Sequence, residues 1–271
     1  MTLQTVWISA FSPAGATEKV VRAIGEALAK ELDLPLRERP FTKPGDRAQE
    51  ACFGPSDLAV IGSPTYAGRM PNKIAPDFRA RFRGDGALAV PVVTYGNRAW
   101  ENSLAELCAL LGENGFQITG AGAFAARHAF TDNLAGGRPD WDDLAEARAF
   151  AGKVAEKIRR GDSAAPAVPG DPGAPYYVPK DAGGQPAKFL KAKPRTDLSK
   201  CCGCGVCART CPMGAIDPAD VSQVPGLCIK CQSCVRRCTR HAKYFDDPAF
   251  LSHVAMLEAN FREPKVNEIF L

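Results

Sequence analysis

The chain has 271 residues, room for one large domain or two small ones, and its 45% hydrophobic and 24% charged residues exclude wholesale disorder. No apolar run reaches the roughly 18 residues of a membrane helix, which excludes an integral membrane segment. A formal net charge of +4 excludes a strongly basic nucleic-acid binder.

In the first 160 residues, short apolar runs alternate with helix-like stretches, the βαβ signature of a parallel sheet. Strands are predicted at 5–9, 34–38, 58–62, 87–95 and 117–125. The third and fourth are almost continuously apolar, as strands covered on both faces should be. Helices are predicted over 17–31, where Val20, Ile24 and Leu28 form one stripe, and over 71–83, 100–114 and 141–160. Pro91 lacks a ladder donor inside the fourth strand, so an irregularity is expected there. Cys52 and Cys108 lie on apolar stretches and are expected in the core.

Residues 161–198 carry seven prolines and five glycines, the composition of a linker or a docked strap. Tyr176, Tyr177, Val178, Phe189 and Leu190 interrupt its polarity and favour a pinned strap. A cysteine-rich module follows at 199–247. In the tail, 248–271, Phe250, Leu251, Val254 and Leu257 predict a helix packed on its own protein.

Met1 to Ala10 shows no basic leader, so a cytoplasmic protein is expected, in which eleven cysteines point to metal ligation rather than disulfides. Nine of them fall between Cys201 and Cys238. Cys201, Cys204, Cys207 and Cys211 recur 27 residues later as Cys228, Cys231, Cys234 and Cys238, an internal duplication. Three thiolates so spaced wrap three corners of one cubane, and the fourth cannot easily close the same loop. Zinc pairs are usually separated by longer loops, which disfavours that metal. Cys202 is out of register and is expected to fill space. The second run departs from the first at Thr239 and His241, which replace Pro212 and Gly214. Seven Lys and Arg between Lys200 and Phe245 face only Asp217 and Asp220, a surplus that offsets bound negative charge or steers an acidic partner.

Three loops follow predicted strands, where open parallel sheets bind ligands. The first, with Ser9, Ser12, Ala14, Gly15, Ala16 and Thr17, enters a helix and presents N–H groups to a phosphate, without the glycine pattern of a dinucleotide site. The second is Pro64, Thr65, Tyr66, Ala67, Gly68 and Arg69; the third is Thr94, Tyr95, Gly96, Asn97 and Arg98. His128, after the fifth strand, is placed to close the pocket. No nucleophile–base pair, zinc-hydrolase motif or second nucleotide fold is visible.

On these residues the chain resembles the flavodoxin–ferredoxin fusion ("ferrodoxin") family of anaerobic bacteria and archaea. The resemblance implies a flavodoxin-like α/β domain at 1–160, with a five-stranded parallel sheet of order 2-1-3-4-5 and helices on both faces. It implies a small α+β ferredoxin-like domain with two [4Fe–4S] clusters, one held by Cys201, Cys204, Cys207 and Cys238, the other by Cys211, Cys228, Cys231 and Cys234. FMN is implied across the three loops, its phosphate near Ser12, Ala14, Gly15, Ala16 and Thr17, Tyr66 stacked on its ring, and Thr65, Gly68, Tyr95, Gly96, Asn97 and Arg98 at its polar edge. The expected function is electron transfer between clusters, FMN and a redox protein partner, with a homodimer allowed. A flavin-dependent reductase of a small acceptor and a redox-sensing module are the alternatives.

Overall fold

The computed structural model describes residues 2–271. Its centre is a sheet built from β1 (Thr5–Ala10), β2 (Leu36–Glu38), β3 (Asp57–Pro64), β4 (Leu88–Tyr95) and β5 (Ala121–Ala125). All five are parallel, in the order β2-β1-β3-β4-β5, the doubly wound order of flavodoxin-like sheets. Helices α1 (Ala16–Leu32) and α4 (Trp141–Arg159) cover one face; α2 (Ala75–Arg81) and α3 (Ser103–Glu113) cover the other. The α1 stripe of Val20, Ile24 and Leu28 is fully buried there with Phe150 and Val154. Phe41, Phe78, Phe82 and Phe116 fill the opposite face.

The fifth strand is split. Gln117–Ile118 pairs with Leu88 and Ala89, and pairing resumes only at Gly122 opposite Val92. Thr119 N–H donates to Ala89 O and Ala126 N–H to Tyr95 O, so odd-numbered residues of β4 bond towards this side. Pro91, with no N–H, therefore falls at the break. A Cβ on Gly120 would lie 2.8 Å from Val154, so this gap also lets the chain pass close to α4.

Two features differ from the sequence reading. Cys52 lies on a two-residue strand, Ala51–Cys52, with Ala51 buried and Cys52 exposed; Cys108 is half-buried against the core, its thiol pushed up to about 12 by burial. The tail forms the expected helix, α7 (Pro248–Asn260), capped by Asp247, and then an unexpected strand, β6 (Glu268–Phe270). β6 pairs antiparallel with β5 and covers the sheet edge, placing Ile269 on one core face and Phe270 on the other.

Within residues 161–198, positions 171–177 dock on the carboxyl-end loops. Tyr176 hydroxyl donates to Met70 O at 2.8 Å, Tyr177 N–H to Ala67 O at 2.9 Å, and Asp171 N–H to Asn102 Oδ1 at 2.8 Å. Phe189 is buried against Phe250 of α7, whereas Val178 and Leu190 are exposed. The cysteine-rich module contains two one-turn helices, α5 (Val206–Arg209) and α6 (Ser233–Arg236). Arg195–Thr196 pairs with Lys243–Tyr244, so the module's first strand lies within the segment read as strap.

Candidate functional site

The loop from β1 to α1 turns at Gly15, whose φ of 90° suits glycine, and no atom lies within 4 Å of where its Cβ would stand. By helix geometry the N–H groups of Ala16 and Thr17 have no partner inside α1. Glu18 N–H is taken by Ser12 Oγ at 2.9 Å, and Ser12 N–H donates to Thr42 Oγ1 at 2.9 Å. The Ser9 hydroxyl donates to Arg39 O, and the Thr17 and Thr94 hydroxyls meet at 2.6 Å. The result is an open cradle lined mainly by backbone.

In the loop after β3, Tyr66 and Arg69 exchange backbone hydrogen bonds around Ala67 and Gly68, both at positive φ. Gly68, at φ 78°, takes a backbone conformation that favours glycine. Thr65 Oγ1 meets Ser103 Oγ at 2.7 Å. Arg69 does not face the cradle: Nε and Nη2 hold both Glu106 oxygens at 2.8 Å, and Nη1 donates to Ala174 O of the strap. Tyr66 is part-exposed as a residue, but its hydroxyl end is enclosed. Burial raises its pKa well above the ordinary value, and the Cys231 and Cys228 thiols add to this.

The loop after β4 is bound by the tail. Asn97, at φ 64°, donates through Nδ2 to Phe261 O and Glu263 O and accepts at Oδ1 from Lys265 N–H. Tyr95 hydroxyl donates to Val266 O at 2.7 Å. Arg98 pairs with Glu101 at 2.6 Å and lies 4.0 Å over the Tyr177 ring. His128 packs on Gly96, where a Cβ would come within 2.5 Å of it, and its Nδ1 accepts from Phe130 N–H. Burial holds the His128 pKa down to about 4, with His253, Arg98 and Arg236 adding to it. The structure thus brings the predicted loops together but spends the side chains of Ser9, Arg69, Tyr95, Asn97 and Arg98 on protein partners. Sequence reasoning missed the tail residues that take Tyr95 and Asn97 and the strap residues that meet Arg69 and Arg98.

The cysteine runs fold as one motif used twice. Left-handed positions recur at the 27-residue spacing: Gly203 with Lys230, Gly205 with Gln232, and Gly214 with His241. Ala215 N–H donates to Cys211 Sγ at 3.3 Å, and its counterpart Ala242 N–H to Cys238 Sγ at 3.2 Å. Cys201, Cys204, Cys207 and Cys238 line one small cavity, partly open to solvent, with Cys202 in its wall. Cys211, Cys228, Cys231 and Cys234 line a second. Each cavity thus takes three cysteines from one run and the fourth from the other. In the second wall, the Gln232 amide nitrogen is buried without a hydrogen-bond partner.

The second cavity faces the α/β unit. Met213 and Ile229 pack on its core, and Arg47 Nη2 donates to Pro212 O at 2.7 Å. Arg236 of α6 holds the loop after β5, donating to His128 O and Ala129 O and pairing with Asp132. The loops after β2 and β5 thus meet the module directly, and the Tyr66 hydroxyl after β3 lies within electrostatic range of Cys228 and Cys231.

Residues 194–217 match the family described as 4Fe-4S binding domain. No curated protein matches the chain. Among solved structures, an archaeal flavodoxin is 14% identical, with 58% of this chain and 99% of that one covered at a TM-score of 0.38. A flavodoxin of Streptococcus pneumoniae TIGR4 is 16% identical, with 56% and 99% covered at 0.40. The rubredoxin oxygen:oxidoreductase of Desulfovibrio gigas is 14% identical, with 60% of this chain and 38% of that one covered at 0.40. The flavodoxin-like assignment rests on the strand order itself. The chain joins a flavodoxin-like α/β unit to a 4Fe-4S ferredoxin-type module.

Proposed function

We propose that the chain is an electron-transfer iron–sulfur flavoprotein that relays electrons between two [4Fe–4S] clusters and FMN, and on to a redox partner. When bound, the clusters exchange one electron each and FMN one or two. The observation that carries the reading is the docking of the cysteine-rich module on the α/β unit, through Met213 and Ile229 on its core, Arg47 on Pro212 and Arg236 on the loop after β5.

The residues suit these groups. A tetrahedral zinc site would draw four sulfurs to about 2.3 Å from one point. Here, among the described residues, no three Cys, His, Asp or Glu side chains converge on a single ion position, whereas four cysteines line each cavity, and N–H groups of Ala215, Lys230 and Ala242 point at thiol sulfurs. The unpartnered Gln232 amide, buried in the second wall, supplies a further donor to sulfur. The open space over Gly15, with the free N–H groups of Ala16 and Thr17, suits a phosphate monoester, and the absence of a second glycine turn favours FMN over a dinucleotide. Tyr66 is the candidate to stack on the flavin, and the contacts of Arg236 and Arg47 support a fixed spacing between that loop and the module. Strap and tail cover Arg98 and Asn97, which favours a relay over an open site for a small acceptor.

Anaerobic reconstitution followed by iron analysis and identification of the released flavin tests the reading. About eight irons and one FMN per chain are expected from two four-iron sites; zinc, four irons or FAD would overturn it.

A further inference from the structure

We propose that the face around the outer cavity, formed by Cys201, Cys204, Cys207 and Cys238, is the docking surface for an acidic one-electron redox protein, resting on the reading of that cavity as a cluster site. The two cavities differ in access. Cys231 and Cys234 of the inner one are buried and turned towards the α/β unit. At the outer one Cys202, Gly203 and Cys204 are exposed. An external partner can therefore approach the outer site closely, while the inner site is shielded by the chain itself.

The charge around that opening is one-sided. Arg240 is exposed and lines the outer cavity; Arg209 is exposed, its guanidinium against Gly205 of the cavity wall, where a Cβ would come within 2.9 Å of Nη1; Arg237 is exposed three positions before Arg240. Among the described residues none of these three guanidiniums forms a salt bridge, in contrast to Arg236, which is spent on Asp132, and Lys200, which is spent on Asp197. The nearby carboxylates are turned into their own loops: Asp220 accepts from Ser222 N–H and Oγ, and Asp217 from Ala219 N–H. Three uncompensated cations at an electron entry point attract an acidic surface through water and speed its encounter. Small, transient, charged contacts are also the kind that redox encounters use. One electron leaves the partner's metal centre, which is oxidised, and enters the outer site, which is reduced; no bond or proton is exchanged.

The test uses the full reconstituted protein, with iron content and cluster-to-flavin transfer measured first, so that failure of the relay reading appears before any partner is added. Reduction by an acidic [2Fe–2S] ferredoxin is then followed by stopped flow, with the cationic methyl viologen radical and anionic dithionite as small reductants. The ferredoxin rate should fall at least about tenfold between low and high salt. It should fall at least about tenfold at low salt when Arg209, Arg237 and Arg240 are all replaced by Glu, and by less with all three replaced by Gln. Iron content and the viologen rate should not fall. A ferredoxin rate indifferent to salt and to both variants overturns the proposal, as does an equal loss with viologen. A loss confined to dithionite would assign the cations to a small anion and overturn protein docking.

Discussion

Gln232→Leu tests the inner cavity most finely. Gln232 is buried, lines that cavity and leaves its amide nitrogen without a protein acceptor. If sulfur is its acceptor, the bond favours the more negative, reduced state. A neutral hydrogen bond contributes about 1 kcal/mol net. A tenfold change in equilibrium is 59 mV for one electron and about 1.4 kcal/mol, so the substitution should lower the inner potential by about 40 mV. The counterpart in the outer half is Gly205, which has no side chain, so the outer potential serves as an internal reference. Folding should survive, because leucine removes an unsatisfied buried amide and meets the same left-handed backbone, φ 63°, as glutamine. A redox titration followed by electron paramagnetic resonance separates the two centres. An unchanged inner potential, or equal shifts in both, would refute the placement of Gln232 against a cluster.

Ser12→Asp keeps an acceptor for Glu18 N–H but sets a negative charge beside the Gly15 cradle, so FMN should bind at least about tenfold more weakly in a fluorescence titration; unchanged affinity would place the phosphate elsewhere. Arg236→Gln removes the pair with Asp132 and bonds to two carbonyls, and should slow cluster-to-flavin transfer with iron content intact; an unaltered rate would mean that this clamp does not set the spacing. Cys204→Ser should lose iron at the outer site whereas Cys202→Ser should not, as iron analysis reads directly. For His128, the folded pKa of about 4 lies below the unfolded value near 6.5. The unfolded chain takes up the proton first, so this contribution is present above about pH 6.5, is lost as pH falls towards 4 and then levels off. His128→Gln should flatten that part of the stability profile measured by denaturant midpoints; parallel profiles would contradict the assignment.

How much could be read from the residues follows from how local each signal is. β3 and β4 were visible because burial on both faces makes them apolar throughout. The crossed grouping of cysteines came from the resemblance to two-cluster ferredoxins, in which the fourth cysteine of a run cannot easily close its own loop, and the two cavities are lined in that same grouping. Pro91 marked an irregularity, but its position at the Gly120 break depends on the bonding side of β4, which only the sheet fixes. The three-residue β6 carries no pattern of its own; it is a strand because β5 offers an open edge. Asn97, Tyr95 and Arg98 looked like ligand contacts because loops after parallel strands bind ligands, yet residues 164 or more positions away take the Asn97 and Tyr95 side chains, and the strap's Tyr177 covers Arg98. Cys52 was misread because a two-residue strand turns alternate residues outward, and an apolar stretch does not say which one faces in.

A flexible 38-residue strap would let the module roam over roughly 34 Å, whereas Tyr176, Tyr177, Arg47 and Arg236 fix it at the carboxyl end of the sheet. The direct test is to photoreduce the clusters of the reconstituted protein and follow flavin reduction over a wide range of protein concentration. The docked relay predicts a first-order rate independent of concentration, which slows when the strap from Tyr176 to Leu190 is replaced by Gly and Ser. A rate that rises in proportion to protein concentration, or clusters that never reduce the flavin, would contradict it.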